Sequence, residues 1–184
     1  FAFGMGNDAG GGVEGQVNAN VLGSPTLATW YFVVGLYDAT TDTMKISVNA
    51  ALQTTTAGPT GGTNVVTTDL RFGAYYTSPT TSTAYMDGRI AKVGFWKTAA
   101  GGSGAGALTT TQITTLYNSG SGYLYANLPG SVTTGLVGYW NLNGALTDST
   151  ANANTLTASS SPPTNAEGID YVIAAYQAMV DPGA

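Results

Sequence analysis

The side chains available for chemistry in this chain are carboxylates, hydroxyls and amides, because its 184 residues include no histidine and no cysteine. Their absence removes Ser-His and Cys-His catalysis together with the usual transition-metal sites. Hydrolysis would then need a pair of carboxylates held close together. The only two glutamates, Glu14 and Glu167, lie near opposite ends of the chain. The sequence therefore predicts a protein that is not an enzyme.

An oxygen-rich loop lies where Asp148, Ser149, Asn152 and Asn154 are close in sequence. Carboxylate and amide oxygens are the ligands that calcium prefers, so Asp148, Asn152 and Asn154 are candidate calcium ligands. The same residue types more commonly stabilise turns through hydrogen bonds from side chain to backbone. We expect either no cofactor or calcium alone.

Three tyrosines are candidate sugar-binding residues. Tyr75, Tyr76 and Tyr85 flank the loop of residues 77–83. An exposed tyrosine can stack on a pyranose ring, but subunit interfaces favour exposed tyrosine as well, so both interpretations remain open. The three tryptophans, in contrast, are expected to fill a core or a contact between sheets. They are Trp30, Trp96 and Trp140.

Charge is scarce in this chain. Charged residues make up 8% of it, the formal net charge is −5, and only five residues are basic. Five cations cannot neutralise the phosphates on which nonspecific nucleic-acid binding depends, and they fit an anionic membrane surface equally poorly. Its surface must consist of small polar residues, which suits sheets that pack against neighbouring subunits. No apolar run approaches the length of a membrane span.

Alternating apolar residues predict strands in the first half of the chain. Residues 30–37, WYFVVGLY, have apolar side chains on both faces of the strand. This pattern indicates either a central strand covered on each side or a strand whose outer face is used for contact. Residues 44–48 alternate apolar and polar side chains, as in a strand with one solvent-facing side. One face of the first strand comprises Trp30, Phe32, Val34 and Leu36, and the other Tyr31, Val33 and Tyr37.

Residues 84–98 predict a turn at Asp87-Gly88 followed by a half-buried strand. The apolar positions of that strand, which are expected to enter a core, are Ile90, Val93 and Phe95.

A short capped helix is predicted at residues 110–118. Thr109 and Gln112 have the spacing of a capping box, and Gly120 is placed to end the helix. The residues expected to pack inward are Ile113, Leu116 and Tyr117.

This order of elements resembles the C-terminal end of a LamG-like domain of the concanavalin A-like lectin/glucanase superfamily, which ends in Asp-Gly, a strand, Leu-(Ser/Thr), a short helix and Leu-Tyr-Asn-x-Gly. The resemblance covers residues 25–122 and implies an all-β, antiparallel jelly-roll β-sandwich. The family commonly has Val-Asn-Gly at the end of the strand of residues 44–48. This chain has Ala50 in place of that glycine, so a tight turn is less expected there. Glucanases of the superfamily place acidic residues near Glu-x-Asp-x-x-Glu, and this chain has no such cluster. Many members bind calcium through oxygen ligands.

Residues 135–157, GLVGYWNLNGALTDSTANANTLT, resemble the N-terminal opening of the same family. The order of the two halves is therefore inverted, and three arrangements are open. The chain could be cut from a tandem array, it could be one rearranged domain whose late segment pairs with residues 1–122, or that segment could complete a neighbouring subunit.

We divide the chain into residues 1–128, a LamG-like sandwich without its own N-terminal strands, and residues 129–184. The second part is the start of another repeat or a strand-exchange segment, followed by a terminal helix. Helical spacing of apolar residues predicts that helix at Ile169 to Val180, although Asp170 to Tyr176 is also compatible with a strand.

The sequence predicts a non-enzymatic structural or adhesive module of an extracellular filament, a surface layer or a virion exterior. Its expected partners are copies of itself or sibling structural subunits, without nucleic acid and without membrane insertion. The alternative is a carbohydrate-binding adhesion module that binds surface glycans with or without calcium.

Overall fold

The computed structural model describes residues 1–6, 13–38, 41–58, 74–78, 81–86, 88–97, 108–157 and 177–180. Within them, every strand pair is antiparallel, and the single α-helix is too short to cross a membrane. The strands are β1 (Ala2–Gly6), β2 (Val13–Asn18), β3 (Trp30–Tyr31), β4 (Val33–Asp38), β5 (Thr43–Val48), β6 (Ala51–Ala57), β7 (Ala74–Ser78), β8 (Thr81–Tyr85), β9 (Gly88–Ala91), β10 (Val93–Trp96), β11 (Leu136–Trp140) and β12 (Gln177–Val180), and the helix is α1 (Thr110–Tyr117).

A β1–β2 hairpin packs on one face of the three-stranded sheet β4–β5–β6. Phe3 lies so close over Gly35 that a Cβ on that glycine would come within 2.5 Å of the Phe3 ring. The two layers enclose the first cluster, and the glycine allows them to approach closely. The buried members of this cluster are Val17, Ala19, Tyr31, Met44, Ile46 and Val48.

Helix α1 and the residues that follow it, up to Val132, cover the opposite face of the sheet β4–β5–β6. There Phe32 and Val34 pack against Ile113 and Leu116 of α1 and against Val132, which together form the second cluster. The prediction that both faces are covered is thus confirmed for residues 32–37, because alternate residues enter the first and second clusters. A central position in the sheet is wrong among the described residues, because β4 pairs with β5 alone.

The predicted solvent-facing side of residues 44–48 is wrong at Ser47. This residue is 3% exposed, and its hydroxyl donates to the Ala51 carbonyl at 3.1 Å. Ser47 is the register partner of Val34, so it shares the face that the second cluster occupies. The hydrogen bond satisfies the hydroxyl and makes its burial tolerable.

The capping box of α1 is confirmed. Thr109 Oγ1 accepts from the Gln112 backbone N–H at 3.3 Å, and Gln112 Oε1 accepts from the Thr109 N–H at 2.8 Å. Ile113 and Leu116 are buried, as predicted. The helix ends earlier than Gly120, however, because Asn118 takes the left-handed conformation at its C-cap.

A third sheet has the order β3–β12–β9. The terminal helix predicted for Ile169 to Val180 is therefore wrong over residues 177–180, which form the central strand of this sheet, while residues 169–176 lie outside the described residues. Pairing with two strands distant in sequence outweighs a local periodicity that indicated a helix.

Trp30 is 39% exposed, so its predicted place in the core is wrong. The chain passes from one sheet to another at Phe32, between β3 and β4. Tyr31 is buried, and Trp30, its neighbour on the strand, points to the opposite face. The change of sheet at Phe32 breaks the continuous face that the sequence alone indicated.

The turn between β5 and β6 is tight despite the missing glycine. Asn49 and Ala50 both have positive φ angles, of 51° and 62°, which is the backbone of the two-residue turns that favour Asn-Gly. Asn49 also accepts a hydrogen bond from the Phe32 N–H at 3.0 Å and donates its own N–H to the Phe32 carbonyl at 2.8 Å. These two bonds hold the turn against the start of β4.

Replacing Ala50 by glycine is expected to raise the free energy of unfolding by about 0.5–1 kcal/mol, because alanine is strained in the left-handed region and glycine is not. The lost methyl contact with the second cluster reduces the gain. The matched control is Ala51→Gly, in the extended backbone of β6, which should lower stability by about the same amount. Urea denaturation measures both, and destabilisation by Ala50→Gly would contradict the observed turn.

Candidate functional site

Two similar tetrapeptides form an antiparallel ribbon. Val93 to Trp96 reads VGFW, and Val137 to Trp140 reads VGYW. Strand β10 pairs with β11 in a register that sets Val93 opposite Trp140 and Gly94 opposite Tyr139, with a bulge near Trp96. Each strand thus contains a glycine two residues before a tryptophan, on the same face.

Each tryptophan lies over the glycine of its own strand. A Cβ on Gly138 would come within 2.5 Å of Trp140 Cη2, and a Cβ on Gly94 would overlap the Trp96 ring. The indole nitrogens donate to backbone carbonyls, Trp96 to Val132 at 2.7 Å and Trp140 to Asn154 at 2.8 Å. Glycine is required at both positions because any side chain would displace the ring.

The ribbon separates two clusters. Trp96 packs against the second cluster on one face, whereas Trp140 and Val93 join Ile90 in a third cluster on the other. The predicted burial of Trp140, Ile90 and Val93 is confirmed, and Trp96 is half-buried against the second cluster, as a core contact requires. The prediction for Phe95 is wrong, because this residue, although on the Val93 face, is 42% exposed.

Tyr139 is completely buried beside the ribbon, with 0% exposure. Its hydroxyl donates to the Tyr123 carbonyl at 2.6 Å, and its ring lies 5.9 Å from that of Tyr125. Burial raises the pKa of the Tyr139 phenol above its ordinary value, so this group remains a neutral donor. It fixes the segment that follows α1 to the ribbon.

The carboxylate of Asp148 is the most heavily hydrogen-bonded group near the ribbon. Oδ1 accepts from the backbone N–H of Tyr139 at 3.0 Å and of Thr150 at 2.9 Å. Oδ2 accepts from the Thr150 hydroxyl and the Asn154 N–H, both at 2.9 Å, and from Asn154 Nδ2 at 3.1 Å. Five donors therefore surround a group that offers about four lone pairs.

The loop of residues 148–154 closes the outer edge of β11. The Tyr139 N–H goes to Asp148, and the Tyr139 carbonyl accepts from the Ser149 N–H at 2.7 Å. The Val137 carbonyl accepts from Asn152 Nδ2 at 2.8 Å and Asn154 Nδ2 at 3.1 Å. Three edge groups of β11 that could pair with another strand are therefore already bonded, and covering an edge with a loop is one way in which natural proteins protect it.

These contacts set the charge state of Asp148. Burial alone would raise the pKa of its carboxyl, but the backbone N–H groups of Tyr139, Thr150 and Asn154, together with the Thr150 hydroxyl, outweigh burial and lower that pKa. The folded protein therefore stabilises the anion.

The predicted calcium ligands Asp148, Asn152 and Asn154 do lie together, but as partners in this edge-closing loop. Both amides direct their nitrogens inward, toward the Val137 carbonyl and the carboxylate. A cation would have to displace those donors, so the geometry favours the turn-stabilising role. In the described part of the chain, no group of three His, Cys, Asp or Glu residues is placed to bind a metal. Calcium binding by this loop stays a prediction; Asn7 and Asp8, the other oxygen-rich pair, are outside the described residues.

The predicted sugar-binding tyrosines share one hairpin. Tyr75 and Tyr76 belong to β7 and Tyr85 to β8, and the register sets Tyr85 opposite Ala74, next to Tyr75. Their side chains are outside what the structure describes. The hairpin therefore brings the three positions together in the backbone, and sugar binding by them stays a prediction.

Two further described carboxylates, of Asp38 and Asp42, accept hydrogen bonds in one turn. Asp42 Oδ1 accepts from the Tyr37 hydroxyl at 3.1 Å, and Asp38 Oδ1 accepts from the Thr41 N–H at 3.4 Å. Both contacts hold the turn between β4 and β5. Asp87, of the predicted turn, is outside the described residues.

The sequence did not identify the ribbon as the centre of the molecule. The sequence feature that could have predicted the ribbon is the repeated Val-Gly-aromatic-Trp tetrapeptide, at residues 93–96 and 137–140. Asn141 was also missed. It accepts from the Tyr125 N–H at 2.8 Å and donates to the Ser149 hydroxyl at 3.2 Å, so it joins the loop to the segment after α1.

The antiparallel sheets and short helix define an all-β sandwich module. The laminin G 3 family model, described as Concanavalin A-like lectin/glucanases superfamily, matches residues 2–103, more than half of the chain. The chain belongs to this family, and the predicted jelly-roll class is confirmed. Comparisons with curated proteins and with solved structures gave no match.

The match ends before α1 and β11. Three arrangements of the chain were left open by the sequence. One of them, a rearranged single domain, requires that β10 and β11 pair within one chain, as they do here. The division into residues 1–128 and 129–184, and the start of a further repeat, stay predictions.

Gly138→Ala is expected to lower the free energy of unfolding by about 1–3 kcal/mol, because its methyl group would force the Trp140 ring out of place. The control is Gly130→Ala, since a Cβ there meets nothing within 4 Å. It should change stability by less than about 0.5 kcal/mol. Denaturant unfolding followed by tryptophan fluorescence measures both, and equal effects would contradict the packing described.

Asp148→Asn is expected to lower the free energy of unfolding by about 2 kcal/mol, because an amide nitrogen would face N–H and O–H donors. Asp42→Asn, which preserves an acceptor for Tyr37, should cost less than about 0.5 kcal/mol.

The Asp148 effect should also depend on pH. Because the folded pKa is below that of the unfolded chain, the stabilisation is complete above the unfolded value of about 3.9 and is lost as the pH falls through the folded value. Chemical denaturation between about pH 7 and pH 2 should show the gap between wild type and Asp148→Asn closing at the acidic end. A gap that stays constant to the lowest pH would contradict the assigned role.

Proposed function

We propose that this chain is a non-enzymatic structural or adhesive module that assembles with copies of itself or sibling subunits through sheet edges. Its setting is an extracellular filament, a surface layer or a virion exterior. Family membership supports a β-sandwich module, and the uses of the described carboxylates support a role without bond-breaking chemistry.

The observation that carries this proposal is strand β6. It is one of the two outer strands of β4–β5–β6 among the described residues, and it pairs with β5 alone. The other outer strand, β4, ends in the charged residue Asp38. Its sequence ALQTTTA contains neither a charge nor a proline, the usual means of blocking strand addition, and Leu52 is 59% exposed. The contrast with β11, whose edge the Asp148 loop closes, favours β6 as a contact surface.

Light scattering at increasing protein concentration tests the proposal. The wild type should form assemblies, and Thr55→Lys, which adds a charge at an exposed position of β6, should need at least about tenfold more protein to do so. The control is Thr111→Lys on the exposed side of α1. A wild type that stays monomeric at every concentration would refute the proposal.

A carbohydrate-binding adhesion module is the second candidate. The hairpin β7–β8 favours it, because Tyr75, Tyr76 and Tyr85 occupy neighbouring register positions, and aromatic faces stack on sugars. Glycan-array binding that disappears on replacing these tyrosines by alanine would support it. Repeating the array with calcium and with a chelator, for the wild type and Asn152→Ala, tests whether calcium assists. Absence of binding on every array would remove this candidate.

A further inference from the structure

We propose that β12 is an exchangeable strand, which completes the sheet β3–β12–β9 either in its own chain or in a second copy of this chain. This inference rests on the proposed self-assembly and names the strand that links the copies. The partner is therefore another molecule of the same sequence, joined through main-chain hydrogen bonds.

The site of exchange is a slot one strand wide. Strand β12 is hydrogen-bonded on both sides, with Ala178 opposite both Tyr31 and Ile90, and Met179 opposite both Trp30 and Arg89. In the described sheet, β3 and β9 are joined only through β12. Without β12, the facing edges of both strands would have unpaired N–H and C=O groups, and an incoming strand would pair with both.

The walls of the slot are fixed by contacts that do not involve β12. Tyr31 packs in the first cluster, and its hydroxyl accepts from the Thr26 N–H at 2.8 Å. Phe32, the next residue, is held by Asn49 and the second cluster. Ile90 packs in the third cluster with Val93 and Trp140. The slot is therefore preorganised for a strand from either source.

The connection to β12 is long enough to reach another molecule. Residues 158–176 join Thr157 to Gln177. A segment of that length spans about 65 Å when fully extended. The radius of gyration of a compact domain of this size is only about 16 Å. Chain length therefore does not confine β12 to its own slot.

Concentration decides which slot β12 occupies, because the bonds formed are the same in both cases. A strand on a tether of this kind experiences an effective concentration of the order of 1 mM at its own slot. Dilute protein should be closed and monomeric. The exchanged fraction should rise about tenfold with each tenfold rise in concentration up to that range, as in a filament or a layer.

The late strand β11 is not the exchangeable one. Its edge is closed by the Asp148 loop, and its Trp140 and Tyr139 side chains are buried and hydrogen-bonded within the chain. Removing β11 would open the third cluster, to which Trp140 belongs. The segment 135–157, for which the sequence left strand exchange open, is paired and packed within its own chain here, and its exchange stays a prediction.

Disulfide trapping tests the inference on the full chain, which has no cysteine of its own. Two differently tagged single variants, Met179→Cys and Arg89→Cys, occupy opposite register positions on β12 and β9. They are mixed at about 0.01 mM and about 1 mM, equilibrated and oxidised. The control pairs Met179→Cys with Leu124→Cys, at an exposed position in another part of the fold. The double variant Met179→Cys/Arg89→Cys reports the closed form.

The expected result is a monomeric disulfide in the double variant, and mixed-tag dimers that are at least tenfold more abundant at the higher concentration and above the control. Two results overturn the inference: a double variant that fails to cross-link, or mixed-tag dimers no more abundant than the control. Light scattering of the wild type at the same concentrations separates the two proposals. If the wild type assembles without mixed-tag dimers, the self-assembly stands and the exchange of β12 is refuted.

Discussion

The antiparallel pairing of β10 with β11 is the interaction on which the rest of the structure depends. It joins segments that lie far apart in the sequence and presents one tryptophan to each of two hydrophobic clusters. The two glycines make this possible, because an indole ring can lie flat on a strand only where the residue beneath has no side chain. Pairing, ring placement and cluster formation are thus one event, and a change at either glycine affects both sides of the ribbon.

A chain with so few charges protects one sheet edge with a loop rather than with charged side chains. Many proteins place lysine or proline on an exposed strand, whereas this one turns a loop back over β11 and satisfies its edge with one carboxylate and two amides. Three of those side chains are the residues that the sequence suggested as calcium ligands. The same oxygen-rich composition serves both purposes in proteins. Here the amide nitrogens point toward the Val137 carbonyl and the Asp148 carboxylate, as in the turn-stabilising use, and calcium binding stays a prediction.

The features that depend on local sequence were predictable. The two covered faces of residues 32–37 and the capping box at Thr109 follow from periodicity and spacing, and both are as expected. Features set by distant pairing were not. Ser47 is buried because a helix far along the chain covers it, Trp30 is exposed because the strand changes sheets, and Gln177–Val180 is extended because two strands flank it. The family resemblance predicted the fold class. It did not predict which strands pair, because the two halves of the family pattern occur in inverted order in this chain.

The position of β12 in the sequence, after both of the strands with which it pairs, has a consequence for biosynthesis. Strands β3 and β9 emerge from the ribosome long before Gln177, and some 85 residues separate Ala91 from it. At translation rates of about 5–20 residues per second, roughly 4–17 s pass between the two. Throughout that interval β3 and β9 lack the strand that pairs with both of them. On a polysome, where several copies are translated side by side, a strand from the molecule ahead would be within reach before the molecule's own strand has been made.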